Sequence, residues 1–137
     1  MIWKDFTLPA DTARRREAQA HKASSRQMEA MRPYSSVQVA AAAGTGKTHV
    51  LTRRFLRLLL EDSTLRPSEI LAVTYTKAGA TEMRNRLTEM LAEWAVMPDE
   101  KLQEALTRIL EKTPAPQTMR HARSLFTFVL DDPVGIR

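Results

Sequence analysis

Apolar residues recur along this chain with two spacings, and the changes of spacing mark out its elements. Residues 36–41, with Val37 and Val39 ahead of a glycine-containing turn, predict a short strand. Residues 47–60 predict a helix, with Leu51, Phe55, Leu58 and Leu59 on one stripe and Leu56 and Leu60 widening it. So wide an apolar face suits a helix packed on a sheet. Turn-forming residues make 62–68 a loop. Residues 70–76, Ile70 to Thr76, are a near-continuous apolar run, as expected of a parallel strand buried on both faces.

Helical spacing returns over residues 78–94, with Ala80, Met83, Leu87, Met90, Leu91 and Trp94 as the packing face. Two more helices are predicted. One spans 99–112, with Asp99 as its N-cap and Leu102, Ala105, Leu106, Ile109 and Leu110 as its stripe. The other spans 117–130, with Ala122, Leu125, Phe126, Val129 and Leu130; Pro114 and Pro116 precede it, and Pro133 and Gly135 end it. Strand, loop, helix, strand and helix in that order imply an α/β fold built on a parallel βαβ unit with a right-handed crossover. Residues 1–24 read as a polar arm, in which Arg14, Arg15 and Arg16 suit a solvated face.

Composition narrows the function classes. The 137 residues hold a modest single-domain core. The absence of cysteine excludes a disulfide scaffold, a thiolate metal site and cysteine nucleophiles. No apolar run approaches the roughly 18–20 residues that span a bilayer. Met1 to Phe6 has no apolar signal core and carries Asp5, so the expected compartment is the cytoplasm, with no membrane partner. A net charge of +5, from 21 basic and 16 acidic residues, favours an anionic partner only slightly.

The most informative residues are Ala41-Ala42-Ala43-Gly44-Thr45-Gly46-Lys47-Thr48, which match the Walker A pattern with alanine at the first glycine position. Gly44 and Gly46 allow the backbone to turn so that successive N–H groups point into one concavity. That concavity lies at a helix N-terminus, where orphan donors and the dipole favour an anion. Lys47 places a point charge on the β- and γ-phosphates, and the Thr48 hydroxyl suits Mg²⁺. A chance match in a chain this long is on the order of one in a hundred from average residue usage. The loop therefore predicts nucleotide binding without saying which class of P-loop protein this is.

The second predicted strand ends in Thr74-Tyr75-Thr76-Lys77. Ligands of parallel sheets bind beyond the carboxyl ends of the strands, so this tetrapeptide falls on the same edge as the loop. Its hydroxyls, ring and ammonium suit a phosphodiester backbone and a stacked base, and equally suit a polar strand end. Gln27, upstream, offers the donor and acceptor that an adenine edge requires, but a lone glutamine carries no such signal.

Taken together, these residues carry a family resemblance. Gln27 with Ala30 and Pro33, then Ala41 to Thr48, then Ile70 to Met83 resemble the Q motif, motif I and motif Ia of UvrD-like superfamily 1 DNA helicases. Within them, Ala43 to Leu51 through Lys47, Thr48 and His49, Thr74 to Arg84, and Arg123 to Phe126 with Val129 to Pro133 resemble the AddA-type subunits of bacterial double-strand break repair helicase–nucleases, the alphaproteobacterial form nearest. The resemblance runs from about Asp5 to Arg137 and is strongest over 27–91.

The resemblance implies a RecA-like helicase domain 1A of P-loop NTPase fold. Its core would occupy 25–95, and a helical segment of the same domain 96–137. It implies ATP and Mg²⁺ as cofactors, with Gln27 on adenine, the stretch from Ala41 to His49 around the triphosphate, Lys47 on the phosphates and Thr48 on the metal. Thr74, Tyr75, Thr76 and Lys77 would meet DNA, as a single strand or at a duplex end, and an AddB-type subunit would be the protein partner. Two positions depart from the family: Tyr75 stands where Phe is usual, and Gly79 where Ala is usual, which should loosen a helix start by roughly 0.5–1 kcal/mol.

Further family features are not in this sequence: a Thr- and His-containing DNA motif, the Asp-Glu of motif II, the arginine fingers and a nuclease domain. The expectation is of a truncated N-terminal piece that is inactive by itself. Phe126 to Asp132 admits a rival reading as a Walker B strand ending in carboxylates, opposed by its helical spacing. The functional alternatives are a stand-alone small P-loop NTPase or kinase, and a non-catalytic single-stranded DNA binding module.

Overall fold

The computed structural model describes residues 25–37, 46–131 and 135–136. The predicted arm over 1–24, most of the first predicted strand, the loop residues Ala41 to Thr45, and Asp132 and Pro133 lie outside the described residues. A short helix, α1, occupies 25–30. Then come α2 (Lys47–Glu61), a 3₁₀ turn at Pro67–Glu69, β1 (Leu71–Ala72), α3 (Lys77–Val96), α4 (Asp99–Leu110), α5 (Pro116–Asp131) and β2 (Gly135–Ile136).

Four of these elements form where the 3.6-residue spacing places them. Phe55, Leu56, Leu59 and Leu60 of α2 meet Ala80, Met83, Leu87, Leu91 and Trp94 of α3. Leu102, Leu106, Ile109 and Leu110 of α4 and Ala122, Leu125 and Val129 of α5 complete one continuous core. Ala72 and Ile136 of the two strands join the same core, with α3 packed against β2. A small satellite of Ala30, Met31 and Val50 seats α1 against the first turn of α2.

Polar clips fix the helices' mutual positions. Arg123 of α5 donates to the Trp94 and Ala95 carbonyls at 3.1 and 3.4 Å, satisfying acceptors that the end of α3 leaves open, and it also pairs with Asp99. His121 Nε2 donates to the Leu59 carbonyl at 2.8 Å, joining α5 to α2. Arg57, buried on α2, donates to Glu61 at 2.8 Å and to Glu111 at 2.8 Å. Burial alone would lower its pKa, but the hydrogen bonds to Glu111 and Glu61 outweigh that and raise it.

The structure corrects several expectations. Leu51 is exposed rather than packed, because the buried face of α2 is rotated toward Val50 and Leu56. Leu130 at the end of α5 is exposed too. Asp99 is the first residue of α4 and its N-cap is Pro98; the carboxylates of Asp99 and Glu100 in the first turn favour the helix dipole instead. Of the run 70–76, only Leu71–Ala72 is strand. Leu71 and Val73 are 66% and 71% exposed, so that segment is not covered on both faces.

Among the described residues the sheet is a single parallel pair, Leu71 against Gly135 and Ala72 against Ile136. Three helices separate its strands, so the predicted βαβ unit through the Walker A loop is not what the described residues display. The rival Walker B strand is overturned: residues 126–131 are helical to the end of α5.

Candidate nucleotide and DNA site

Two candidate regions lie at helix starts, one before α2 and one before α3. The first is the start of α2. Gly46 precedes it with φ +87°, a left-handed conformation that a side chain strains, and no side chain caps the helix start. The first turn carries no acidic residue either. Lys47, Thr48 and His49 are all exposed there. A helix start without a side-chain cap, the dipole of that helix and an ammonium are together the kind of surroundings that favour an anion. Thr52 Oγ1 donates to the Thr48 carbonyl at 2.8 Å, steadying the turn beneath the threonine. The His49 imidazole, partly shielded from water although the residue is exposed, has its pKa lowered first by that desolvation and then by the positive charges of Arg53 and Arg86.

Gln27 comes to the same place. A Cβ on Gly46 would stand 3.7 Å from the Gln27 Nε2, so the carboxamide lies against the loop's last glycine. Beside it is a cavity of about 490 Å³ lined by Ala30, Ser36, Val37, Lys47, Val50, Leu51 and Arg54. Arg54 carries no sequence motif, yet it donates to the Ala30, Pro33 and Ser35 carbonyls. Sequence reasoning missed it because its acceptors are backbone atoms, which leave no residue signature. Ala41, Ala42, Ala43, Gly44 and Thr45 lie outside the described residues.

The second region follows β1. Thr74, Tyr75, Thr76 and Lys77 line a groove of about 420 Å³ with Ala80, Thr81, Arg84 and Ile136. Tyr75 is fully exposed, so its ring is open to stacking. Thr76 is also structural, because its Oγ1 accepts from the Gly79 N–H at 3.0 Å as N-cap of α3. The Thr74 hydroxyl donates to the Thr76 carbonyl at 2.9 Å. Arg84 donates to the Ile136 carbonyl at 3.0 Å and closes the groove against β2. Thr81 and Arg84 were not foreseen, although they lie four and seven residues past Lys77 on one helix face.

Comparison with known proteins decides the family. The model of the UvrD/REP helicase N-terminal domain matches residues 23–128. The chain belongs to that family. Membership carries a P-loop helicase fold.

Relatives agree with this. Over 58 residues the chain is 47% identical to the A subunit of the ATP-dependent helicase/nuclease of a Thermoanaerobacter species, which is 42% of this chain and 5% of that protein. The protein of the same name from Listeria monocytogenes is 47% identical over 60 residues, 43% of this chain and 5% of its own length. The probable DNA helicase II homolog of Mycoplasma pneumoniae is 46% identical over 55 residues, 40% of this chain and 8% of its own length. The matched stretch thus spans under a tenth of each of these relatives. No solved structure matches the chain. No helix among the described residues is long and apolar enough to cross a membrane.

Proposed function

We propose that the chain carries the ATP-binding and DNA-contacting part of an ATP-dependent DNA helicase–nuclease acting in double-strand break repair and recombination. One observation carries the reading. The family's phosphate-binding lysine and threonine, Lys47 and Thr48, open a helix whose start has no side-chain cap, with the Gln27 carboxamide against the glycine before it. In this reading the stretch from Ala41 to His49 surrounds the triphosphate, Lys47 meets its phosphates, Thr48 holds Mg²⁺ and Gln27 meets adenine. The exposed Tyr75 ring, with Thr74, Thr76 and Lys77, takes single-stranded DNA in the groove beyond β1.

The same reading places residues 25–95 and 96–137 in one RecA-like domain, whose parallel βαβ core takes in the strand predicted at 36–41. The shared core of α2, α3, α4 and α5 supports a single domain. The proposed surroundings are the cytoplasm and an AddB-type partner subunit, as for a nuclease-coupled helicase of this family.

The test is titration of the purified chain with ATP and Mg²⁺ by calorimetry. A Lys47→Ala variant should lose at least about tenfold in affinity, the value of one charged hydrogen bond. Equal affinity of both proteins would overturn the phosphate site.

A further inference from the structure

The Gln27 segment has little to hold it in place by itself. α1 is a short helix, and its apolar contact is the small satellite of Ala30, Met31 and Val50. A helix this short is marginal unless tertiary contacts stabilise it. The chain then turns through residues 31–35 in non-repetitive conformation, leaving carbonyl groups that no ladder satisfies.

Arg54 answers that need. From the second turn of α2 its Nη1 donates to the Ala30 carbonyl at 2.9 Å. Its Nη2 donates to the Ser35 carbonyl at 2.6 Å and to the Pro33 carbonyl at 3.5 Å. Ala30 is three residues past Gln27, on the same helix face, and its carbonyl is one of those the end of α1 leaves unpaired. One planar fork therefore grips both the end of α1 and the turn after it, and ties them to the helix that starts at Lys47. Only a guanidinium offers several donors in that fixed geometry; a lysine ammonium is a point charge that cannot bridge all three acceptors.

We infer that Arg54 is the positioning residue for base recognition: its fork on the Ala30, Pro33 and Ser35 carbonyls holds the Gln27 carboxamide at the register where it selects an adenine nucleotide. This inference rests on the nucleotide reading above and deepens it. Arg54 does not touch the base edge; it fixes the segment that does. The carboxamide presents one donor and one acceptor, which match the amino group and ring nitrogen of adenine. A hypoxanthine or guanine edge offers acceptors at both places, so a rigidly held carboxamide loses one hydrogen bond to it and a loosely held one re-orients. Lys47 and Arg54 line the same cavity, so selectivity and phosphate affinity are set side by side but by different residues.

The experiment compares ATP, inosine triphosphate and inorganic tripolyphosphate on the 137-residue chain, with Mg²⁺, by competition against a fluorescent nucleotide. The wild type should prefer ATP over inosine triphosphate by about 5- to 150-fold, the range of one bidentate base contact. Arg54→Ala should bring that ratio close to one while tripolyphosphate affinity stays near wild type. Arg54→Lys keeps the stem and the charge and so protects the fold; it should also lose the ratio, because the charge alone does not rebuild the fork.

A preference intact in Arg54→Lys overturns the inference, and so does a parallel fall in selectivity and tripolyphosphate affinity, which assigns Arg54 a purely structural role. A wild type that binds tripolyphosphate without base preference removes Gln27 and Arg54 from recognition but leaves the phosphate site standing. A wild type that binds neither ATP nor tripolyphosphate removes the nucleotide reading, and the Arg54 inference with it.

Discussion

His49 follows Thr48 directly, at the proposed phosphate end of α2, and its surroundings favour the neutral imidazole. Partial desolvation of the ring is the larger cause, and the guanidinium groups of Arg53 and Arg86 add to it. The unfolded chain's imidazole titrates near its ordinary value of about 6.5, and the folded one below it. Between those two values the unfolded chain binds more protons, so folding stability rises with pH. The contribution is fully present above about pH 6.5 and is lost as acidification passes through the folded value. Urea unfolding of the nucleotide-free chain should therefore show a midpoint that falls between pH 7.5 and pH 5.5, and a His49→Gln variant should show a smaller fall. An unchanged fall in that variant would mean that the acid sensitivity resides in other groups.

At the level of elements, α3 begins with a conflict between two preferences. Glycine inside a helix costs roughly 0.5–1 kcal/mol relative to alanine, which alone makes Gly79→Ala stabilising. Thr76, however, caps the helix through the Gly79 N–H, and a Cβ at Gly79 would stand 3.2 Å from the Thr76 Oγ1 and 3.7 Å from the Thr74 Cβ. The cap must give by a few tenths of an ångström to admit a methyl group. Gly79→Ala should consequently gain less than about 0.5 kcal/mol in the wild-type background, and close to the full propensity value of about 1 kcal/mol beside Thr76→Ala. Thermal unfolding of the four proteins of this cycle measures the difference. Equal gains in both backgrounds would show that the cap does not feel the methyl group.

The same contrast between local and distant forces explains what could be read from the chain beforehand. The four long helices stand within two residues of their predicted limits because apolar spacing is a property of neighbouring residues. The strands were legible only in part: β1 falls inside the predicted run 70–76 but keeps two residues of it, and β2 was not predicted. β2 exists because Gly135–Ile136 finds Leu71–Ala72 across three intervening helices, and nothing near Gly135 announces it. In the candidate site, Lys47, Thr48 and Tyr75 stood out by motif. Arg54 and Arg84 did not, since each acts on backbone carbonyls far along the chain.

Across the whole molecule, Glu111 joins three parts that sequence proximity keeps separate. It is the C-cap of α4, it accepts from Arg57 of α2 at 2.8 Å, and it pairs with Arg32 of the segment after α1 at 3.7 Å. Its backbone sits in the left-handed region, at φ +60° and ψ +20°, which costs a non-glycine residue roughly 1 kcal/mol. That cost is sustained because Arg57 is largely buried, and a guanidinium there that loses one of its two carboxylates forfeits a charged hydrogen bond of about 1.5–3 kcal/mol. Glu61 remains as its other partner, so the loss falls toward the lower end of that range. Two substitutions separate the opposing effects. Glu111→Gln keeps the backbone strain and weakens the bond, so it should destabilise by about 1–2 kcal/mol. Glu111→Gly removes the bond but relieves the strain, and the two nearly offset, so its net loss should be the same or smaller, despite deleting the whole side chain. Urea unfolding of the three proteins gives the order. If Glu111→Gly proves less stable than Glu111→Gln by more than about 1 kcal/mol, the left-handed backbone stores no strain, and the side chain's polar contacts with α2 and the segment after α1 account for the whole effect.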